Sequence, residues 1–567
     1  MKWMKKIFSE DHKVIGKQYF FTSLFMALDG SLLSLLMRLQ LGWPGKYSFP
    51  VLDKIFPNGF SGGVMRPEFY LSLVTMHGTI MVFFFLSMAW SGFGNYFIPL
   101  MVGAEDMAFP FLNMLSYWTA VPASIIMLGS LFLPTDAAAS GWTAYPPLSA
   151  VPLASSGSGL GQDLWIIGMA LFIVSFTMGS LNFITTILQM RTKGMTFLRL
   201  PLVIWTFLFA NLVGLLAFPP LVAAALLLLA DRHLGTSFYL PSGLVVMGHL
   251  MHRKGGTPLL WEHLFWFLGH PEVYVLVFPA LGIAFEVFAA FTRKPPFGYM
   301  ITLVSFVVIS FLSLIVWGHH MFISGMNPYL GEFFSIATLA ITIPFSVVMV
   351  NLLASLWGGK LIFKTPMLFA LGFLSTMGVG GLTGLFLGNA VSDIEMHNTY
   401  FVVAHFHFTL LSAALFGVFA GTYFWFPKMF GKMMNETLGK IHFYSTLILF
   451  YCVFFPMFYL GFGGMMRHLY DPTQYAFLKP LQPINLFISI CAFLLFGSQL
   501  IFLFNFFYSL ARGEKAPENP WECSTLEWQT SSPPPHGNWK DSYPVVYRWA
   551  YDYEKGECVP QTVPESS

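Results

Sequence analysis

Six histidines fall inside long apolar stretches of this chain: His77, His270, His319, His320, His405 and His407. An ionisable side chain in hydrocarbon is costly and marks a functional candidate. Any one of them alone reads as a hydrogen-bonded core residue; the set reads as metal ligands. His270 with the adjacent pair His319 and His320 offers three imidazoles, a donor set that suits copper. His405 and His407 are two residues apart, about 200° around a helix, so one helix presents an imidazole to each of two sides. His77 can add the second axial nitrogen on one side, giving a six-coordinate, low-spin haem, while a haem on the other side keeps an open axial position. An open haem iron facing a three-imidazole copper is a site for binding and reducing a diatomic gas. Tyr274 lies four residues after His270, on the same helical face. A phenol beside a copper ligand can give up both an electron and a proton. Glu272, between them in sequence, is a carboxyl that can hold or release a proton.

Hydrocarbon is what must surround these residues. Of 567 residues, 56% are hydrophobic and 10% charged, with mean hydropathy +0.66. Soluble domains carry about a quarter charged residues. The net charge of +2 gives no reason to expect nucleic acid. Cys452, Cys491, Cys523 and Cys558 have no CxxC spacing, so no cysteine metal site is expected. A spanning helix needs about 20 apolar residues. Twelve such spans are expected, at 17–41, 71–102, 115–134, 164–190, 201–230, 258–292, 299–322, 332–356, 367–388, 400–427, 441–464 and 484–511. The expected fold is thus an all-α integral membrane bundle of twelve helices around two haems and a copper. It divides into an N-terminal segment 1–16, the bundle 17–511 and a Pro-rich tail 512–567. Lys2, Lys5 and Lys6 put the N-terminus in the cytoplasm by the positive-inside rule. The alternate loops agree, carrying Arg191, Lys193, Arg199, Arg293, Lys294, Lys360, Lys364, Lys428, Lys432 and Lys440, and Arg512 and Lys515 open a cytoplasmic tail. The N-terminus reads as retained, without a signal-peptide cleavage site. In this orientation the six histidines, delivered by helices running both ways, share one outer layer.

The segments GNYFIPLMVGAEDMAFPFLN (94–113), LNFITTI (181–187), LFWFLGHPEVY (264–274), GHPEVYVLVFPALG (269–282), WGHHMF (317–322), HNTYFVVAHFHF (397–408) and NPWECSTLEW (519–528) resemble the signature segments of cytochrome c oxidase subunit I, in the same order along nearly the whole chain. The resemblance is to bacterial, aa-type members of the haem–copper oxygen reductases. It implies His77 and His407 on the low-spin haem, His405 on the high-spin haem, and His270, His319 and His320 on the copper called CuB. It implies that Tyr274 is covalently joined to His270. Arg38, in SLLSLLMRLQLG, matches the arginine at the formyl group of the low-spin haem, which implies heme A, and Arg467 matches one near the propionates. The implied activity is reduction of O2 to water with electrons from cytochrome c, or from a fused or associated cytochrome domain, coupled to proton translocation in the bacterial inner membrane. The implied partners are a subunit II carrying the CuA site, a subunit III and small subunits.

Protons need polar paths through the bilayer. Asp106, Asn113, Asn182 and Ser175, leading to Glu272, resemble the family's aspartate-fed proton channel. The second family channel is interrupted: PFSVVMVNL (344–352) places Phe345 and Val348 where the family has a threonine and a lysine, leaving Thr338, Thr342 and Ser346. At the outer side, the His–Asp pair of a Mg2+ site reads His397–Asn398, so a weak site is expected. An arginine pair reads Arg467–His468, so one charge is expected to become titratable, and Glu395 stands at a usually apolar position. Two other classes compete. A nitric oxide reductase of the same superfamily shares the histidines but has no use for Tyr274. A twelve-helix transporter has no reason to place six histidines at one depth.

Overall fold

The computed structural model describes residues 7–45, 50–56, 58–133, 135–252, 255–540, 542–554 and 556–564. Lys2, Lys5 and Lys6 lie outside the described residues. Eleven of the described helices are long and apolar enough to cross a membrane. In chain order, with one shorter helix between the sixth and seventh of these, they are α1 (His12–Gly42), α2 (Pro67–Val102), α3 (Pro110–Ser130), α4 (Leu160–Gln189), α5 (Leu202–His233), α6 (Pro258–Thr292), α7 (Tyr299–Ser313), α8 (Pro328–Ala354), α9 (Thr365–Gly388), α10 (Tyr400–Phe430), α11 (Glu436–Phe462) and α12 (Lys479–Arg512).

Local chemistry sets the ends. The Asp11 carboxylate caps α1 by accepting from Lys13 N–H at 2.8 Å and Val14 N–H at 3.3 Å. Proline occupies the first turn of α2, α3, α6, α8, α9 and α12, where its missing N–H removes no helical bond. Gly103 ends α2 and Gly431 ends α10 in the left-handed conformation, at φ 79° and 69°. The only strands among the described residues are three two-residue antiparallel hairpins: β1–β2 (Phe60–Ser61, Val64–Met65), β3–β4 (Val245–Val246, His249–Leu250) and β5–β6 (Tyr553–Glu554, Glu557–Cys558).

Two features depart from the expected helices. The span expected at 299–322 stops being α-helical at Ser313, and Trp317–Met321 forms a separate 3-10 turn. Gly318 presses that turn against Phe334 of α8, since a Cβ there would lie 2.1 Å from the ring. The break frees the turn to bring His319 and His320 to α6. Inside α2, Ile80–Ser87 is π-helical, and so is His407–Gly417 inside α10. Such widened turns gather at functional sites.

The tail packs as a second layer over one end of the bundle. Trp521 donates to Phe424 O at 2.7 Å, Arg293 pairs with Glu522 at 2.7 Å, Val546 N–H bonds Lys193 O at 2.9 Å, and the Tyr551 hydroxyl bonds Glu286. Lys428, fully buried, donates to Thr530 O at 2.6 Å. The start of α1 and the α2–α3, α4–α5, α6–α7 and α10–α11 connections all meet at this end.

Candidate functional site

A single cavity of about 830 Å³ is lined by His77, His270, His319, His320, His405 and His407, together with Tyr274, Arg38, Arg467, His397 and Asp393. Arg38 comes from α1, His77 from α2, His270 and Tyr274 from α6, His405 and His407 from α10, His319 and His320 from the Trp317–Met321 turn, Asp393 and His397 from the short helix Ala390–Met396 and its end, and Arg467 from the segment after α11. One ring nitrogen from each of His270, His319 and His320 lies within 4.8 Å of the others. His270 Nδ1 and His320 Nε2 are 3.2 Å apart, within hydrogen-bond distance of each other. His319 Nδ1 bonds the Thr338 hydroxyl at 2.8 Å, and that hydroxyl donates to Phe334 O at 2.6 Å. His319 is therefore the donor to Thr338, and its Nε2 is bare. Thr338, expected as a remnant of a proton path, is committed to orienting an imidazole. The indole of Trp266, one turn before His270, stacks on His320 at 3.8 Å and is held by Tyr145.

His405 and His407 face different neighbours. His405 Nδ1 bonds Gly380 O at 3.0 Å and Thr383 at 3.1 Å, both on α9; His407 bonds Val403 O at 2.7 Å and stacks on Phe454 of α11 at 4.3 Å. His77 Nδ1 bonds Gly30 O at 2.8 Å. A carbonyl only accepts, so in all three Nδ1 carries the proton and Nε2 is left bare. This is how a metal-binding imidazole is oriented. Arg38 is held by Asn485 O at 2.8 Å and Ser489 at 2.9 Å, with its Nη1 unpaired; the Nε of Arg467 is likewise buried without a partner. These donor sets fit two haems and a copper. Tyr274 lies 4.9 Å from the His270 ring, centroid to centroid, and His270 Nε2 has no hydrogen-bond partner.

The expected proton residues form two joined clusters. Asn182 accepts from Phe109 N–H at 2.9 Å and so ties the Asp106 loop to α4. Asn113 is fully buried with both side-chain polar atoms unpaired. Ser175 donates to Ser116 O at 2.7 Å, and Tyr19 reaches both serines. A cavity of about 10 Å³ beside them is lined by Tyr19, Ser91, Asn95, Ser116, Ser175 and Ser180, among others, about the room of one water. From it Asn95, Ser91 and Ser87 climb one face of α2 at four-residue spacing. Asn95 donates to Ser91 O at 2.9 Å, Ser91 to Ser87 O at 3.0 Å, and Ser87 to Glu272 at 3.1 Å. Nothing in the sequence set Tyr19 or this ladder apart; the spacing of 87, 91 and 95 was its only signal.

On α8, Val348 is fully buried, and Phe345, Thr342 and Ser346 line the large cavity. At the end of the cavity away from the tail, His397 is bonded by Asp393 at 2.7 Å, so a carboxylate arrives from four residues upstream although position 398 is Asn. Glu395 is exposed. Burial and the adjacent Arg467 push the pKa of His468 down to about 3.

Residues 14–494 match the family profile described as cytochrome C and quinol oxidase polypeptide I. The whole chain is 46% identical to an alternative cytochrome c oxidase subunit 1 of Bradyrhizobium diazoefficiens, covering 93% of that protein. Over 96% of its length it is 42% identical to cytochrome c oxidase subunit 1 of Synechocystis, covering 92% of it. It is 40% identical, over 96% of its length and 62% of the relative, to the haem–copper oxidase subunit I+III of Aeropyrum pernix. Among solved structures, a haem–copper terminal oxidase dimer aligns with a TM-score of 0.68 at 18% identity over 88% of this chain and 84% of that one, a likeness of fold. The chain belongs to the cytochrome c and quinol oxidase polypeptide I family and is the catalytic subunit of a terminal oxidase.

Proposed function

We propose that this subunit reduces O2 to water with electrons from cytochrome c and couples the reaction to proton translocation. The observation that carries this is Tyr274 beside His270, in a cavity where His270, His319 and His320 converge. His270, His319 and His320 would hold CuB, His405 the high-spin haem, and His77 and His407 the low-spin haem. When bound, these groups supply the electron relay and the place where O2 is reduced. The chain's own part is to orient imidazoles, exclude water and deliver protons. Tyr274 can supply an electron and a proton together. Because His270 Nδ1 faces His320, its free Nε2 is the atom available for a bond to the Tyr274 ring.

The residues lining the cavity support heme A as the haem type. One arm runs along α8 from Thr338 to Val350, about 18 Å of helix. Another passes Ala492, Leu495 and Phe496 on α12. Apolar arms of this length suit haems with long hydrocarbon tails. Arg38, with Nη1 free, suits a formyl group, and heme A has both. A hard cation at His397 would find its imidazole engaged by Asp393 and an amide at Asn398, so any Mg2+ site is weak.

The end of the bundle covered by the tail carries the basic connections and is the cytoplasmic side of a bacterial inner membrane. Tyr299–Ser313 with the turn after it completes twelve crossings. Segment 1–16, the bundle 17–511 and the cytoplasmic tail 512–567 remain the natural divisions. As a subunit I the chain works with partner subunits. A subunit II with CuA would feed electrons, and a subunit III is suggested by the fused relative. Glu272 passes protons onward, fed by Asp106, Asn113, Asn182 and Ser175. The test is O2 and nitric oxide turnover measured on one purified complex and its Tyr274→Phe variant. Loss of O2 turnover with both haems retained is expected. Full O2 turnover in the variant, or nitric oxide reduction without O2 reduction, overturns the reading.

A further inference from the structure

The tail residue Asn538 makes a set of bonds that sequence motifs do not account for. It is fully buried and left-handed, at φ 69°. Its side-chain oxygen accepts from Lys13 Nζ at 2.9 Å and contacts His12 Nε2 at 3.0 Å. Its amide donates to Ala104 O at 2.9 Å and Glu105 O at 3.0 Å. Its backbone is fixed in turn, because Thr530 donates to Asn538 O at 2.7 Å and the adjoining Thr530 carbonyl is held by Lys428. One amide thus ties three parts of the chain, the first turn of α1, the α2–α3 connection and the tail. The residue after Glu105 is Asp106.

We propose that Asn538 is a positioning residue for proton uptake: it holds the tail, Lys13 and the Ala104–Glu105 backbone together so that the Asp106 carboxyl stays enclosed beneath them. This rests on the reading of Asp106 as the uptake group. The Asp106 carboxyl accepts from its own neighbour, Met107 N–H, at 2.6 Å, and from the backbone N–H of His12 at the start of α1. Its burial is therefore the work of the groups around it. The charged and titratable groups acting on it are Asp11, His12 and Lys13 at the start of α1; Glu105 is its neighbour in the loop, and the tail's His536 and Tyr543 reach Asp11 and Glu105. Tyr543 donates to Glu105 at 2.5 Å, and His536 pairs with Asp11 at 3.1 Å. Burial pushes the Asp106 pKa up to about 6 from 3.8, against the pull of Met107 N–H and Lys13. A carboxyl that takes up and releases protons near that pH is suited to relaying them; an open, hydrated one is not.

Asn538→Gly is the informative variant, because glycine tolerates the left-handed backbone and removes only the amide. Asn538→Asp keeps an acceptor for Lys13 and loses the donors to Ala104 and Glu105. On the assembled oxidase, with haem content measured for each variant, Asn538→Gly is expected to slow O2 turnover about fivefold. Admitting water lowers the Asp106 pKa. The limb on which turnover declines with rising pH therefore moves down by about one unit. Asn538→Asp should fall between. If Asn538→Gly slows turnover equally at every pH, or not at all, Asn538 has no positioning role. Should Asn538→Gly fail to assemble, an unshifted pH profile in Asn538→Asp overturns the proposal instead. Asp106→Asn separates the two ideas: full turnover there removes the reading of Asp106 itself, while severe loss there with an unshifted Asn538→Gly profile removes only the role of Asn538.

Discussion

Two columns of protein lead from the tail-covered end of the bundle to the reduction site. The first lies between α1, α2, α3 and α4 beneath Glu272. It holds Asn113, Tyr19, Ser116, Ser175, Asn95, Ser91 and Ser87, with a water-sized polar cavity among them. The second follows α8 towards Tyr274. Its lower end has Asn351 bonded to Thr302 at 2.8 Å. Above that pair stand the buried Val348, then Ser346 and the ring of Phe345, before Thr342 is reached. Both columns cross hydrocarbon-like surroundings, where a chain of water survives only against polar walls. The first has hydroxyls and amides at helical spacing. The second has a layer of carbon. On the proposed function, the contrast favours the first column for both the protons consumed in making water and those pumped.

The largest effect should come at the top of the first column. Glu272 is the group on which its ladder ends, through Ser87. Glu272→Gln keeps the shape and removes the exchangeable proton, and should cut O2 turnover per haem about 10³-fold. Oxygen consumption with haem content as denominator measures it; a rate above a tenth of the parent's would mean another group delivers the protons. Asp106→Asn, at the bottom, should cost about tenfold to a hundredfold, and should slow enzyme reduction as well as oxidation. Flow-flash and reductive-phase kinetics separate these, and an unimpaired reductive phase would restore the second column as a working path. Asn95→Leu keeps the volume and takes one polar wall from the small cavity. About a tenfold loss is expected, with haem spectra unchanged, and an unaffected rate would move the proton path off the α2 ladder.

What could be read in the sequence was set by where each signal resides. That these histidines and Tyr274 share one cavity was legible because helical geometry ties them together: four residues between His270 and Tyr274, two between His405 and His407, and adjacency at 319 and 320. The ladder of Ser87, Ser91 and Asn95 was not, because small polar residues at that spacing are ordinary in a helix until a neighbour is known to face them. The same holds for Asp393, which reaches His397 only because a short helix, Ala390–Met396, brings them to one side. The end of α7 at Ser313 depends on Gly318 meeting Phe334 of another helix. The tail read as Pro-rich and polar; its burial rests on partners hundreds of residues away, among them Glu286, Lys193 and Asn538's contacts at Lys13 and Ala104.

The smallest effect on turnover should come from restoring the missing ammonium. Val348 is fully buried among apolar neighbours, one turn above the Asn351–Thr302 pair. A lysine there would lie between Asn351 and Thr342, about 13 Å of helix in which Ser346 is the one hydroxyl. A charged ammonium without a partner in such a place costs several kcal/mol, so Val348→Lys should reduce the yield of assembled enzyme. A single side chain also leaves Phe345 in the path. Turnover per haem should therefore stay within about twofold of the parent, and the double variant with Asp106→Asn should be as slow as Asp106→Asn alone. The double variant gives the sharper measurement. If Val348→Lys restores the reductive phase lost in Asp106→Asn, then one layer of carbon is all that closes the second column, and the difference between the columns is a matter of a single residue rather than of their whole length.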